Sequence, residues 1–185
     1  MYTNYSDKIP GRYALHVDGS KFSEDVAVSG FACSAHTFPV DARYAFEASV
    51  RKTLEQLFES IESTPKALNR SELLAAGFDG MIAVEADDMD IDLDVIPGFW
   101  SAKLDAEAEL TLNYSVDGLE GRLLGGSVEG DDDKKAPAGF ACEGGANAIG
   151  GAVEGAMKDA TKRLAERLSN APRLRRPSSA RPASS

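Results

Sequence analysis

The sequence predicts an α+β fold: a predominantly antiparallel sheet, built around a long meander, with two long helices packed on one face. Three observations point there. From Met89 to Val116 apolar and polar residues alternate almost without a break, the period of strands with one buried and one wet face. Phe46, Val50, Leu54, Leu57 and Ile61 share one side of a helical period, as do Ile149, Val153, Met157, Leu164 and Leu168. Pro97-Gly98 and Asp117-Gly118 punctuate the alternating run where a meander must turn.

Residues 1–11 read as a flexible N-terminal segment and residues 12–170 as one α+β domain. Tyr13 to Val17 is a short strand closed by Asp18-Gly19, and Val26 to Phe38 is extended. A helix follows Pro39, with Asp41 as its N-cap, and runs through Ile61 until Thr64-Pro65 stops it. A short helix from Ser71 to Ala76, capped by Ser71, leads through Gly77 into the strand at 80–84.

The meander's register follows from its turns. With Pro97-Gly98 as a two-residue loop, Val95 faces Trp100, Leu93 faces Ala102 and Ile91 faces Leu104, so apolar meets apolar. With Asp117-Gly118 as the next loop, Leu112 faces Leu123 and Tyr114 faces Gly121. The third strand then fades into glycine and an acidic loop, Asp131 to Asp133. The last helix begins near Gly145. Beside its apolar face runs a small-residue row, Ala148, Ala152, Ala156 and Ala160 with Gly151 and Gly155 nearby, which lets it lie flat on the sheet. Glu154, Lys158 and Asp159 interrupt any apolar span through it. Leu54, Leu57, Leu104, Leu112, Ile149, Val153 and Leu164 are expected to form one core. Residues 171–185 have the composition of a disordered basic tail.

Thirty acidic against twenty basic residues leave a net charge of −10. Such a chain repels nucleic acid and anionic lipid and attracts a basic protein. No segment reaches the ~18 apolar residues of a membrane span. The residues after Met1 lack the basic start and apolar core of a signal peptide. Taken literally that means cytoplasm; a natural start lying upstream would place the chain in the periplasm or cell envelope. The oligomeric state is not legible.

No catalytic, cofactor or metal motif is present, so the expectation is a non-enzyme without a cofactor. His16 and His36 sit in no metal pattern, and Cys33 with His36 lies in an apolar stretch without the other parts of a nucleophilic site. The run from Cys142 to Gly151 is glycine-rich but lacks the Gly-Lys-Ser/Thr ending of a phosphate loop. Cys33 and Cys142 either form one disulfide, which would close a long loop worth roughly 4 kcal/mol or more, or remain buried thiols; the compartment decides.

The anomaly is the wet face of the meander. In the register above Asp88, Asp90, Asp92 and Asp94 face Glu107, Asp105, Lys103 and Ser101, and Glu109 continues the row. Like charges opposite one another are destabilising. Three readings account for the row: a solvated face that blocks strand-to-strand aggregation, a docking surface for a basic partner, or a divalent cation bridging Asp90 and Asp105. Calcium needs six to eight oxygens, more than carboxylates diverging along one strand supply.

The order of elements, with VRKTLEQLFESIE, AAGFDGMIAVEA, AELTLNYSVDGLEG and ANAIGGAVEGAMKDATKRLAERL in sequence, resembles the small α/β envelope lipoproteins of Gram-negative bacteria, such as the YajG type, and the amino-terminal part of CsgG-type secretion proteins. The resemblance covers roughly residues 40–170 and departs in lacking a lipobox cysteine. It implies a non-catalytic accessory or assembly module of the cell envelope, binding a protein partner through a sheet edge or the acidic face. The alternative is a soluble cytoplasmic ligand-binding domain with an apolar pocket lined by Phe46, Trp100 and Tyr114. A hydrolase using Cys33 or His36 is a third expectation.

Overall fold

A computed structural model of the chain describes residues 8–29, 35–98, 102–139 and 142–175. The elements run β1 (Ile9–Asp18), β2 (Ser23–Ala27), β3 (Thr37–Asp41), α1 (Arg43–Leu57), β4 (Phe58–Ser63), α2 (Arg70–Ala76), β5 (Gly80–Ile96), β6 (Lys103–Gly118), β7 (Gly121–Pro137) and α3 (Gly144–Ser169). The main sheet has the order β4-β1-β5-β6-β7, and β2 and β3 form a separate antiparallel pair.

The architecture is α+β, but the sheet is mixed. β5, β6 and β7 form the antiparallel meander, whereas β1 runs parallel to both β4 and β5. The parallel half arises because the chain crosses back over helices between these strands, as parallel neighbours require. β4 occupies residues that the sequence reading assigns to the first helix. Ile61 keeps that helix's spacing, yet the helix ends at Leu57 and the backbone turns extended at Phe58, φ −104° and ψ 151°. Tertiary contacts decide this: Phe58 is buried and meets Tyr13 edge to face at 5.1 Å, and Ile61 pairs with Tyr13 across the strands.

Only one helix is long. α3 has 26 residues and α1 has 15. Both cover the same sheet face and touch each other. The short α2 covers the opposite face near β1 and β5, where Leu73 and Phe78 bury Ala14 and Met81. The cap of α1 is not Asp41: Ala42 occupies the N-cap, and Asp41 instead pairs with Arg43 at 2.6 Å. α2 is capped by Asn69 rather than Ser71. The Asn69 side chain accepts from the Ser71 and Glu72 amides, and the Glu72 carboxylate accepts from the Asn69 amide, a reciprocal capping box. Gly77 ends this helix in the left-handed region at φ 73°, where glycine carries no Cβ penalty.

The expected core residues, Leu54, Leu57, Leu104, Leu112, Ile149, Val153 and Leu164, are all buried in one cluster. The small-residue row of α3 lies against β6 and β7. A Cβ on Gly130 of β7 would stand 2.3 Å from the Ala156 carbonyl oxygen and the Ala160 nitrogen, so the helix and strand backbones touch there with nothing between. Ala171 and Leu174 are buried beyond the end of α3. At the other end of the described chain β1 opens with the buried Ile9.

Both meander registers differ from the sequence expectation. Val95 faces Leu104, Leu93 faces Ala106 and Ile91 faces Ala108, four residues further along β6 in each case. Proline holds φ near −65° and cannot enter a primed two-residue hairpin turn, so Pro97-Gly98 belongs to a longer loop. The next hairpin turns on Leu119-Glu120, flanked by the pair Gly118 and Gly121. Asp117 is in the ladder opposite Arg122 and accepts a hydrogen bond from the Arg122 Nε. An irregularity between Val116 and Asp117 then shifts β7 by one residue, bringing Leu124 opposite Val116 and Val128 opposite Leu112. The acidic run Asp131 to Asp133 is not a loop. It lies within β7, which continues to Pro137.

Candidate functional site

The solvent face of the meander is assembled from three strands. Its rungs follow from the ladders: Asp94, Asp105 and Lys135; Asp92, Glu107 and Asp133; Asp90, Glu109 and Asp131; Asp88, Thr111 and Glu129. Four rungs thus carry ten carboxylates and one lysine. The opposite parity, Met89, Ile91 and Leu93 with Leu104, Ala106, Ala108 and Leu110, is buried beneath the helices. Alternation therefore forces Asp88, Asp90, Asp92 and Asp94 of β5 and Asp105, Glu107 and Glu109 of β6 outward once the apolar set goes inward.

All seven acidic residues singled out in the sequence, Asp88, Asp90, Asp92, Asp94, Asp105, Glu107 and Glu109, come together on this face. Their partners are rearranged. Asp90 lies opposite Glu109, and Asp105 lies opposite Asp94, so Asp90 and Asp105 are not a facing pair that a cation could bridge. Sequence reading missed Glu129, Asp131 and Asp133, because the third strand was expected to dissolve before them. Among the described residues no group of three or more histidine, cysteine or acidic side chains is disposed to hold a metal ion.

The electrostatics of the face show in its neighbours. Glu24 of β2 has its carboxyl pushed up, first by burial and then by the charges of Asp90, Asp88 and Asp92. Lys135 is held charged above the ordinary lysine range, chiefly by its hydrogen bond to Asp105 at 3.0 Å. One Asp105 oxygen, Oδ1, is buried without a hydrogen-bond partner. Arg163 of α3 reaches round the strand edge to Asp131 at 3.3 Å, and Ser29 donates its hydroxyl to Asp94. A shallow depression of about 310 Å³ lies among Asp90, Asp92, Glu107, Glu109 and Asp131.

The other sequence candidates do not converge. Phe46 is fully buried and packs edge to face on Phe22 at 4.8 Å. Tyr114 instead lines a groove of about 960 Å³ between β7 and the end of α3, where Phe46 takes no part; Trp100 lies outside the described residues. Phe46 and Tyr114 therefore do not share this groove. His16 Nδ1 lies 3.4 Å from the Thr64 carbonyl oxygen. Cys142 is disulfide-bonded and stands at φ 64° just before α3; Cys33, and with it the Cys33–His36 reading, lies outside the described residues. Among the described residues no helix is long and apolar enough to cross a membrane.

No protein-family model matches the chain, and a search of curated proteins finds no relative. Among solved structures the chain is similar to a DUF330-family protein from Xanthomonas campestris, at 10% identity and a TM-score of 0.47, with 88% of this chain and 87% of that one covered. It is similar to a minor lipoprotein from Acinetobacter baumannii at 6% identity and 0.41, covering 84% and 90%. It is also similar to a PelC dodecamer from Paraburkholderia phytofirmans at 12% identity and 0.40, covering 91% and 90%. These are loose likenesses of architecture, and the functional reading below rests on this chain's own residues.

Proposed function

We propose that this protein is a non-catalytic accessory or assembly module of the bacterial cell envelope, of the kind that YajG-type lipoproteins and the amino-terminal part of CsgG-type proteins represent, and that it docks a basic protein partner on the carboxylate face of β5, β6 and β7. The observation that carries this is the four-rung ladder of ten carboxylates against one lysine. Facing like charges cost stability, and a cationic partner removes that cost while gaining long-range attraction. Lys135 already acts this way within the chain, held by Asp105 at 3.0 Å. The envelope assignment is supported by the disulfide at Cys142, a bond that persists in oxidising compartments.

The test is site-specific photo-crosslinking in the native host. A photoreactive residue at Asp92 or Glu107 is expected to trap a basic envelope protein, and 0.5 M added salt during irradiation of permeabilised cells, about five times the ionic strength at which the screening length is ~10 Å, should abolish the adduct. A photoreactive residue at the exposed Glu55 of α1 serves as the comparison. If Asp92 and Glu107 trap nothing, or trap the same proteins as Glu55, the carboxylate face is not the docking surface.

A further inference from the structure

The outer edge of β7 is open along its first half and blunted along its second. β7 is the last strand of the sheet, so one side of its backbone pairs with β6 and the other faces outward. Among the described residues no further backbone hydrogen bond reaches Arg122 to Gly130. The groove of about 960 Å³ runs along this stretch. Leu124 and Val128 border it from the helix side, and Gly125, Ser127 and Glu129 from the carboxylate side. From Asp131 onward the edge carries three aspartates, Lys134 and Lys135, and it ends at Pro137; Arg163 also crosses it to reach Asp131 at 3.3 Å. Charges, proline and a covering side chain are devices by which proteins blunt an edge. Between Leu123 and Val128 there is no charge and no proline, and Gly125 and Gly126 stand exposed, where another backbone can come close.

The charges around the open stretch decide what fits it. The groove is lined by Arg167 and Arg173 but also by Glu129 and Glu166, so a segment of one sign meets repulsion as well as attraction. A second copy of the chain carries the same mixture and can match it. Within the strand, Arg122 stands at one end of the open stretch and Glu129 at the other, with uncharged residues between. Both belong to the carboxylate side of the sheet. Arg122 lies opposite Asp117 and bonds it through Nε, and its guanidinium passes over Gly125, where an added Cβ would stand 3.2 Å from Nη1. Glu129 lies opposite Thr111. An antiparallel neighbour runs the other way, so a second copy brings its Glu129 toward this Arg122. The chain's own continuation is a poorer occupant, because Pro177 and Pro182 have no amide to donate to a ladder.

We infer that the first half of β7 pairs with the same stretch of a second copy, antiparallel about a two-fold axis through Gly126, and joins the two five-stranded sheets into one. In that register Leu124 lies opposite Val128 of the other copy on the helix side, and Ser127 lies opposite Gly125 on the carboxylate side. The two Gly126 meet at the axis with no side chain between the backbones. The register pairs the apolar residues with each other and keeps the ladder short of Asp131, where Arg163 crosses. Glu129 of each copy falls diagonal to Gly125 of the other, the residue that Arg122 overlies, and diagonal neighbours are within reach of long side chains. The two Glu129 residues stay about 20 Å apart, six residues of strand. Next to the axis the carboxylate face is at its weakest: the rungs through Ser127 and Gly125 hold Glu85 as their one carboxylate. An axis normal to the sheet leaves both carboxylate faces on the same side, so the pair presents them side by side. The inference goes beyond the docking reading and does not depend on it.

Sedimentation velocity of the full chain from roughly 5 to 500 µM, a range that brackets micromolar affinity, is expected to show a concentration-dependent dimer. Glu129→Arg and Arg122→Glu, both at exposed positions, should each weaken it about tenfold or more, because each then sets like charges against each other across the axis. An equimolar mixture of the two variants should restore the dimer, since in the mixed pair both contacts again join opposite charges. On the parent chain, amide hydrogen exchange of residues 122–130 should slow from the dilute to the concentrated end of the series, while Phe58–Ser63 on the other edge of the sheet keep their rate. A chain that stays monomeric at the top of the range overturns the inference and leaves the edge to a different partner. So does a dimer in which residues 122–130 exchange as fast as in the monomer, or a mixture that associates no better than either variant alone.

Discussion

Replacing Gly130 by alanine tests how the long helix sits on the sheet. An added Cβ would lie 2.3 Å from the Ala156 oxygen and the Ala160 nitrogen and 2.7 Å from the Ala160 Cβ. Two of these three atoms are helix backbone, so no rotamer change makes room. The helix must retreat by roughly 1 Å or more, and close-packed interiors resist this. Ala152, Ala156 and Ala160 are all fully buried along the contact, so the retreat loosens the whole row. Overpacking of this kind costs about 1–3 kcal/mol, or roughly 2–12 °C in melting temperature for a domain of this size. Gly126→Ala in the same strand is the comparison. Its nearest neighbour is the far end of Tyr114, at 3.3 Å, and alanine in a strand is favoured over glycine by about 0.5–1 kcal/mol. Urea unfolding followed by far-ultraviolet circular dichroism should give a lower midpoint for Gly130→Ala and an equal or higher one for Gly126→Ala. If Gly130→Ala is as stable as the parent chain, Gly130 does not face α3, and the β6–β7 register described here is wrong.

Glu24 makes the field of the carboxylate face measurable. Its folded pKa lies above the ordinary glutamate value, through burial and then through Asp90, Asp88 and Asp92. The folded state therefore binds more protons, and stability falls as pH rises through the unfolded and then the folded value. Glu24→Gln should raise the melting temperature at pH 7 in low salt and leave it unchanged near pH 3; a variant no more stable than the parent at pH 7 would remove this account. For the cysteines, protein purified without reductant and then unfolded should show no reactive thiol, and two reactive thiols would contradict the disulfide at Cys142.

What could be read from the sequence was periodicity, and periodicity assigns faces. Met89, Ile91 and Leu93 go inward and Asp90, Asp92 and Asp94 go outward whatever lies beside them, because the side-chain period of a strand is two. The helical repeat likewise marked Phe46, Val50 and Leu54 as core, and all three are fully buried. The acidic face was legible for the same reason. Its membership in β5 and β6 survives a register error of four residues, since an even shift keeps every side chain on its own face.

Register, turns and neighbours were settled only by tertiary structure. Pro97-Gly98 marks a turn but not its length, and the pairing of Val95 with Leu104 depends on which apolar residues of β6 reach α3. The single-residue shift after Val116 exchanges the faces of β7. It turns Leu124 and Val128 toward the core and sends Glu129, Asp131 and Asp133 to the acidic side. Local propensity does not encode that exchange, because glycine and aspartate favour turns; burial of the two apolar residues against Val116 and Leu112 overrides it. The fate of Ile61 shows the same competition. Its spacing from Leu57 continues a helix, while contacts of β4 with Tyr13 on β1 form only once the chain has crossed back. A sequence declares which side chains avoid water, whereas the folded chain decides which of them meet.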